Sequence, residues 1–354
     1  MKFGFLIYGS LDTLSGGYLY DRKLVEFLRD QGDTVEIISL PWRNYAAHLT
    51  DNFHFRLPPD HDLLIQDELN HPSLLSANAG PRPYPVISLV HHLRCSEQRP
   101  AWGNRFYRTI EKRYLESVDG FIFNSQNTKR VVTGLIEGSK PGVVAYPPTD
   151  RFGNGMIEKK VVARAHEAGP LRIVFLGNVI PRKCLHVLVT ALHLQPKQTD
   201  FHLDVIGRTD INQSYASAVF YGANDLPHPL NMEIHGSLDN EDLIAKLKSA
   251  HVLVVPSSYE GYGIVYLEGM AFGLPAIGTT AGAASEIISD GENGYLITPD
   301  DTKTLAERLS TLASDREMLA CMSVKALERY RQQPRWVKTA SEIRNFLHVI
   351  ARNK

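Results

Sequence analysis

At 354 residues the chain is long for one domain and comfortable for two. Its 43% hydrophobic and 22% charged residues match an ordinary soluble globular protein, and a formal net charge of −1 offers no global field for nucleic acid. Cys95, Cys184 and Cys321 are odd in number and widely spaced, which favours free thiols in a reducing compartment over a disulfide framework. The opening Met1-Lys-Phe-Gly-Phe-Leu-Ile-Tyr8 reads as a first strand rather than a signal peptide. No apolar run approaches the ~20 residues of a membrane span. A cytoplasmic protein is expected.

The first half alternates strand-like and helical patterns. Strands are predicted at 3–8, 34–40, 63–66, 86–90, 120–124 and 142–146. Between the first two, Leu19, Leu24, Phe27 and Leu28 fit a helix over 18–31 closed by Gly32. This alternation predicts a doubly wound α/β domain over 1–150. Residues 151–169, rich in Gly and Lys, read as a linker. A second series of strands follows at 171–176, 202–206, 232–235, 252–255, 276–278 and 294–297, with helices over 185–194 and 240–250. It predicts a second Rossmann-like domain over 170–334, with helix-forming sequence from Lys303 and a last helix over about 335–352.

The most telling stretch is residues 258–271, Ser-Tyr-Glu-Gly-Tyr-Gly-Ile-Val-Tyr-Leu-Glu-Gly-Met-Ala. From Ile264 onward a helix here is buried nearly all round, yet it carries Glu268. An ionised carboxylate stays in such a place only when something hydrogen-bonds it. Glu260 stands in the turn after the buried run 251–255, where ligands bind in open α/β sheets. Gly261 and Gly263 flank Tyr262 and leave backbone N–H groups open, which suits a polyhydroxylated ligand carrying a phosphate.

Three further constellations stand at strand ends. Gly177 and Asn178 open the turn Gly-Asn-Val-Ile-Pro-Arg-Lys-Cys184, and Arg182 and Lys183 then meet a helix N-terminus, where cations can pair with a diphosphate. Gly16 and Gly17, in Leu14-Ser-Gly-Gly17, let the backbone approach a phosphate but form no G-x-G-x-x-G fingerprint. His91 and His92 end the strand at Val90. A histidine near its ordinary pKa of about 6.5 donates a hydrogen bond without a permanent charge. Residues 94–113 set Arg94, Arg99, Arg105, Arg108, Lys112 and Arg113 against Glu97 and Glu111, with Trp102, Phe106 and Tyr107 interleaved. A solvated helix and a membrane-surface or acceptor-binding face both fit that pattern.

Glu260 followed eight positions later by Glu268, within Glu-Gly-Tyr-Gly-Ile-Val-Tyr-Leu-Glu-Gly-Met-Ala-Phe-Gly-Leu-Pro, resembles the double-glutamate motif of retaining glycosyltransferase family 4. The resemblance covers nearly the whole chain and is strongest over 171–299, where Glu286 and the runs after Ala281 and Asp290 also fit the pattern. It implies the GT-B fold: two Rossmann-like domains facing a cleft, with a C-terminal helix, 335–354, crossing back onto the N-terminal domain. It implies transfer of a sugar, with retention, from a nucleoside-diphosphate sugar to an acceptor hydroxyl. Lys183 matches the lysine that holds the donor diphosphate. Asn178 departs from the motif's usual arginine and Cys184 from its glycine, and Arg182 is the candidate to replace the arginine.

By the same resemblance, Glu268 accepts the donor ribose hydroxyls, Glu260 orients the sugar, and His91 contacts it, with His92 in second place by register. Gly16, Gly17, Gly177, Asn178, Gly261, Tyr262, Gly263 and Ile264 line the donor. No metal and no cofactor is expected, because the cations replace a divalent ion. The acceptor class (glycan, lipid or small metabolite) stays open. The alternative reading is a catalytically degenerate binding or scaffold protein on the same fold. A phosphorylase or epimerase is disfavoured, since no pyridoxal-phosphate lysine motif stands in the sequence.

Overall fold

The computed structural model describes residues 1–13, 15–195, 200–224 and 230–353. The chain divides into two compact units, Met1–Pro148 with Pro334–Lys354 and Thr149–Gln333. In the first unit, six strands pair in parallel: β1 (Lys2–Tyr8), β2 (Thr34–Leu40), β3 (Leu63–Asp67), β4 (Val86–Val90), β5 (Gly120–Phe123) and β6 (Gly142–Val144). Their order is β2-β1-β3-β4-β5-β6. Every residue of β3 and β4 is buried, as expected for strands covered on both faces.

Side chains alternate across the pleat. Phe3, Phe5 and Ile7 of β1 join Leu63, Ile65, Ile87 and Leu89 in one core. Helix Gly16–Asp30 closes that core with Leu24 and Leu28, and helix Trp336–Arg352 with Trp336, Ala340, Ile343 and Leu347. Leu6, Leu64, Val86 and Val90 face the other way, under Tyr114 and Leu115 of helix Ala101–Ser117. Asp33 ties the last helix down. It accepts from the N-terminal amine at 2.9 Å and from Arg344 Nε at 2.6 Å.

The second unit repeats the plan with β7 (Leu171–Leu176), β8 (Phe201–Ile206), β9 (Met232–Gly236), β10 (Val252–Val254), β11 (Ala276–Thr279) and β12 (Gly294–Ile297). All pair in parallel, in the order β12-β11-β10-β7-β8-β9. The stretch 151–169, read from composition as a linker, belongs to this unit and carries helix Glu158–Ala165. Arg164 on that helix is buried and donates to the carbonyls of Phe272 and Gly273, both at 2.9 Å. Its buried apolar residues are only Val161 and Ala165, too few to show as a periodic pattern. The helical sequence from Lys303 is two helices, Thr302–Ser314 and Arg316–Gln332; Asp315 caps the second by accepting from the Met318 N–H at 2.8 Å.

Chain order reverses between β1 and β3 in the first sheet and between β7 and β10 in the second. Such switch points leave a crevice at the carboxyl ends of the strands, where ligands of open α/β sheets bind. Among the described residues no helix is long and apolar enough to cross a membrane.

Candidate active site

At the second unit's switch point the turns after β7 and β10 come together. The turn after β7 runs through Gly177 and Asn178 to a short 3-10 turn, Pro181–Lys183. The segment after β10 carries Glu260, whose backbone is fixed by a bridge to Gly282 and accepts from the Ala283 N–H at 2.9 Å. Lys183 Nζ donates to Glu260 Oε1, and Ser257 Oγ donates to the same oxygen at 2.7 Å. Arg182 Nη1 lies 3.8 Å from Glu260 Oε2 and donates to the Tyr259 carbonyl at 2.9 Å. The two segments are further stitched by the Ser258 N–H donating to the Arg182 carbonyl at 2.9 Å.

Glu260 is only 6% exposed. Burial alone would raise its pKa, but the charges of Lys183 and Arg182, with hydrogen bonds from Lys183 and Ser257, hold it at about 2. Burial lowers the pKa of Lys183, and Glu260 opposes that shift. The structure therefore places both oxygens of Glu260 toward cations, so the carboxylate expected to orient a sugar is also the counter-ion of the two basic residues.

Helix Ile264–Met270 starts from Gly263 at φ 92°, where a Cβ would stand 2.6 Å from the Tyr266 ring. Tyr266, Leu267, Gly269 and Met270 are buried around Glu268, itself 8% exposed. Burial raises the Glu268 pKa, and Arg151, donating to Oε1 at 3.1 Å, opposes it. Arg151 also donates to Asn240. Tyr262 turns inward, its hydroxyl accepting from Gln333 Nε2 at 2.8 Å. Arg151 and Ser257 were not legible from the sequence. Arg151 sits in an unpatterned segment, and only the spacing of Ser257, three residues before Glu260, hinted at a local contact.

Cys184, the departure from glycine, has φ 52° and ψ 40°. A left-handed backbone is what glycine supplies without strain, so the usual residue has a physical reason here. The thiol is buried and faces the Pro181 carbonyl at 3.2 Å.

The first unit's switch point holds a separate cluster. Ser15 caps helix Gly16–Asp30 by accepting from the Tyr18 N–H at 3.2 Å; Leu14 lies outside the described residues. A Cβ on Gly17 would stand 3.3 Å from His91 Cδ2, so this glycine makes room for the imidazole as well as for any phosphate. His91 Nε2 is 3.0 Å from Asp21 Oδ1. Burial lowers the His91 pKa, but Asp21, then Asp67 and Glu68, raise it to about 9. Three carboxyl groups thus face the ring, and none of them was apparent from spacing. His92 turns elsewhere, to Glu97 Oε1 at 3.0 Å.

In the basic stretch, Arg94 stacks over Tyr45 and Tyr107 and Arg99 over Tyr107. Glu111 is buried and accepts from the N–H groups of Arg94 and Cys95. Arg105, Arg108 and Arg113 are exposed beside Trp102 (79%) and Phe106 (48%). Glu286, which fitted the family pattern, ends a short 3-10 turn, Ala284–Glu286.

Two doubly wound parallel sheets, each with charged side chains gathered at its switch point, define a two-domain α/β protein of the GT-B class. HepE of Anabaena, solved with UDP and glucose, shares this fold at a TM-score of 0.77 and 17% identity over 99% of this chain and 100% of that one. The chain belongs to the group 1 glycosyl transferases: that family's pattern matches residues 156–329. A phosphatidyl-myo-inositol mannosyltransferase of Mycobacterium leprae is 30% identical over 99% of this chain and 97% of its own length. An uncharacterized glycosyltransferase of Methanocaldococcus jannaschii is 29% identical over 48% of this chain, and the match spans about half of that relative, 46%.

Proposed function

We propose that the chain is a retaining glycosyltransferase that moves a sugar from a nucleoside-diphosphate sugar to an acceptor hydroxyl without a metal ion. The observation that carries this reading is the Lys183–Glu260–Arg182 cluster at the β7/β10 switch point. As the glycosidic bond breaks, negative charge builds on the leaving diphosphate. Lys183 and Arg182 are fixed in advance to meet it, and electrostatic stabilisation of this kind supplies much of an enzyme's rate. Glu260 holds both cations until the donor arrives and then has an oxygen free to orient sugar hydroxyls. Glu268 accepts from the ribose hydroxyls while Arg151 steadies it. Gly177, Asn178 and the N–H groups around Gly261, Gly263 and Ile264 line the donor. His91, in the first unit, keeps the hydrogen-bond donor role that the resemblance implies.

Family membership supports sugar transfer, and the resemblance of Glu260 and Glu268 to the double-glutamate motif supports retention. A front-side displacement, in which the departing phosphate takes the acceptor proton, fits these parts. The relative's name supports a lipid among the candidate acceptors, and the exposed Trp102, Phe106, Arg105 and Arg108 suit a contact with an anionic membrane surface. The test is incubation with UDP-, GDP- and ADP-sugars and candidate acceptors, with and without a chelator, reading nucleoside diphosphate and the anomeric proton of the product. An α-linked product from an α-donor, formed equally with chelator, is the expected result. An inverted product, or turnover lost with chelator, contradicts the corresponding part of the proposal.

A further inference from the structure

The first unit contains a buried charge arrangement that neither the family pattern nor the proposed reaction calls for. Asp21 lies on the second turn of helix Gly16–Asp30 and is 0% exposed. Its Oδ1 meets His91 Nε2 at 3.0 Å, while Oδ2 is buried with no hydrogen-bond partner. A carboxylate buried with a bare oxygen is costly unless a positive charge compensates it. His91 is the cation in contact. The ring is held on two further sides: Gly17 lies against Cδ2, and Tyr20 meets it edge-on at 5.3 Å between centroids. Tyr20 is fixed in turn by donating to the Ala145 carbonyl at 2.9 Å.

We propose that Asp21 is a positioning residue that fixes His91 as an imidazolium, with Nε2–H committed to Asp21 and Nδ1–H left as a charged donor. Among the described residues no protein acceptor meets Nδ1, and the side chain keeps 17% exposure. The arrangement has the logic of a carboxylate that orients a catalytic imidazole and balances its charge. The groups facing the ring are Tyr20 and Asp21 from helix Gly16–Asp30 and Asp67 and Glu68 from the end of β3. Burial, and next the charge of Asp21, push Asp67 up to about 8, and burial pushes Glu68 up to about 7. Of these three carboxyl groups Asp21 alone is in hydrogen-bond contact with the ring. What the charged donor serves, a sugar hydroxyl or a phosphate oxygen, rests on the function proposed above; its charge state does not.

The test is a histidine side-chain ¹⁵N NMR titration of the full chain without ligand, His91 being assigned by its loss in His91→Gln. In the wild type both His91 nitrogens are expected protonated at pH 7.5, with titration near 9. In Asp21→Asn the midpoint falls toward the ordinary value of about 6.5, and kcat falls more than KM rises. A neutral His91 in the wild type at pH 7.5 overturns the proposal. An unchanged midpoint in a folded Asp21→Asn overturns it as well. Because no donor or acceptor is present, failure of the proposed reaction leaves this result intact.

Discussion

At the scale of single residues the account turns on Lys183, Glu260 and Cys184. Lys183→Ala removes the main cation from a buried carboxylate, and breaking such a pair costs roughly 3–5 kcal/mol of stability. The same substitution is expected to lower kcat by about 10²–10³ through lost stabilisation of the leaving diphosphate, measured with saturating donor. Acid titration reads Glu260 directly. Its folded pKa of about 2 lies below the ordinary 4.5, so the unfolded chain binds the proton more readily. The stability it contributes is complete above pH 4.5 and is lost as pH falls from there to about 2. Urea melts across that window should show a shallower pH dependence in Glu260→Gln than in the wild type. At position 184 the backbone sits at φ 52°. Cys184→Gly relieves left-handed strain of about 1–2 kcal/mol against a small loss of burial, whereas Cys184→Val, β-branched, is destabilising by more. Equal melts for the two variants would contradict the assigned backbone.

At the scale of elements the strands were largely legible, because all-parallel strands buried on both faces read as short continuous apolar runs. The bounds of β2, β4, β7 and β12 agree with the apolar runs, and the last helix, expected over about 335–352, is Trp336–Arg352. Helix Glu158–Ala165 was not legible, since only Val161 and Ala165 of its apolar residues are buried and its lysines and neighbouring glycines look like linker. The candidates Lys183, Glu260 and Glu268 were legible because motif and strand end coincide in sequence. Asp21, Asp67 and Arg151 were hidden because their partners are reached only through tertiary contacts, His91 across 70 positions and Glu268 across 117. The last helix supplies a prediction of its own. Leu347 and Ile343 are fully buried against the first sheet, so Ile343→Ala should cost about 2–5 kcal/mol. Denaturant unfolding with a fluorescent probe in the first unit checks it, and a change under about 0.5 kcal/mol would contradict the packing.

At the scale of the whole molecule, a chain with formal net charge −1 concentrates exposed arginines and aromatics on helix Ala101–Ser117. Co-sedimentation with phosphatidylserine vesicles should be salt-sensitive and should fall in Arg105→Glu/Arg108→Glu, each lost cation weakening binding by ~1 kcal/mol. No difference from neutral vesicles would remove the membrane contact while leaving the donor site untouched. The central claim is that the second unit binds a nucleoside diphosphate through Glu268 and Lys183. Calorimetric titration of the wild type and Glu268→Ala with UDP, GDP and ADP tests it most directly. One nucleotide is expected to bind, and the loss of a charge-assisted hydrogen bond of about 1.5–3 kcal/mol should weaken it some ten- to a hundredfold in the variant. Binding of none of the three, or equal affinity in wild type and variant, would contradict the site.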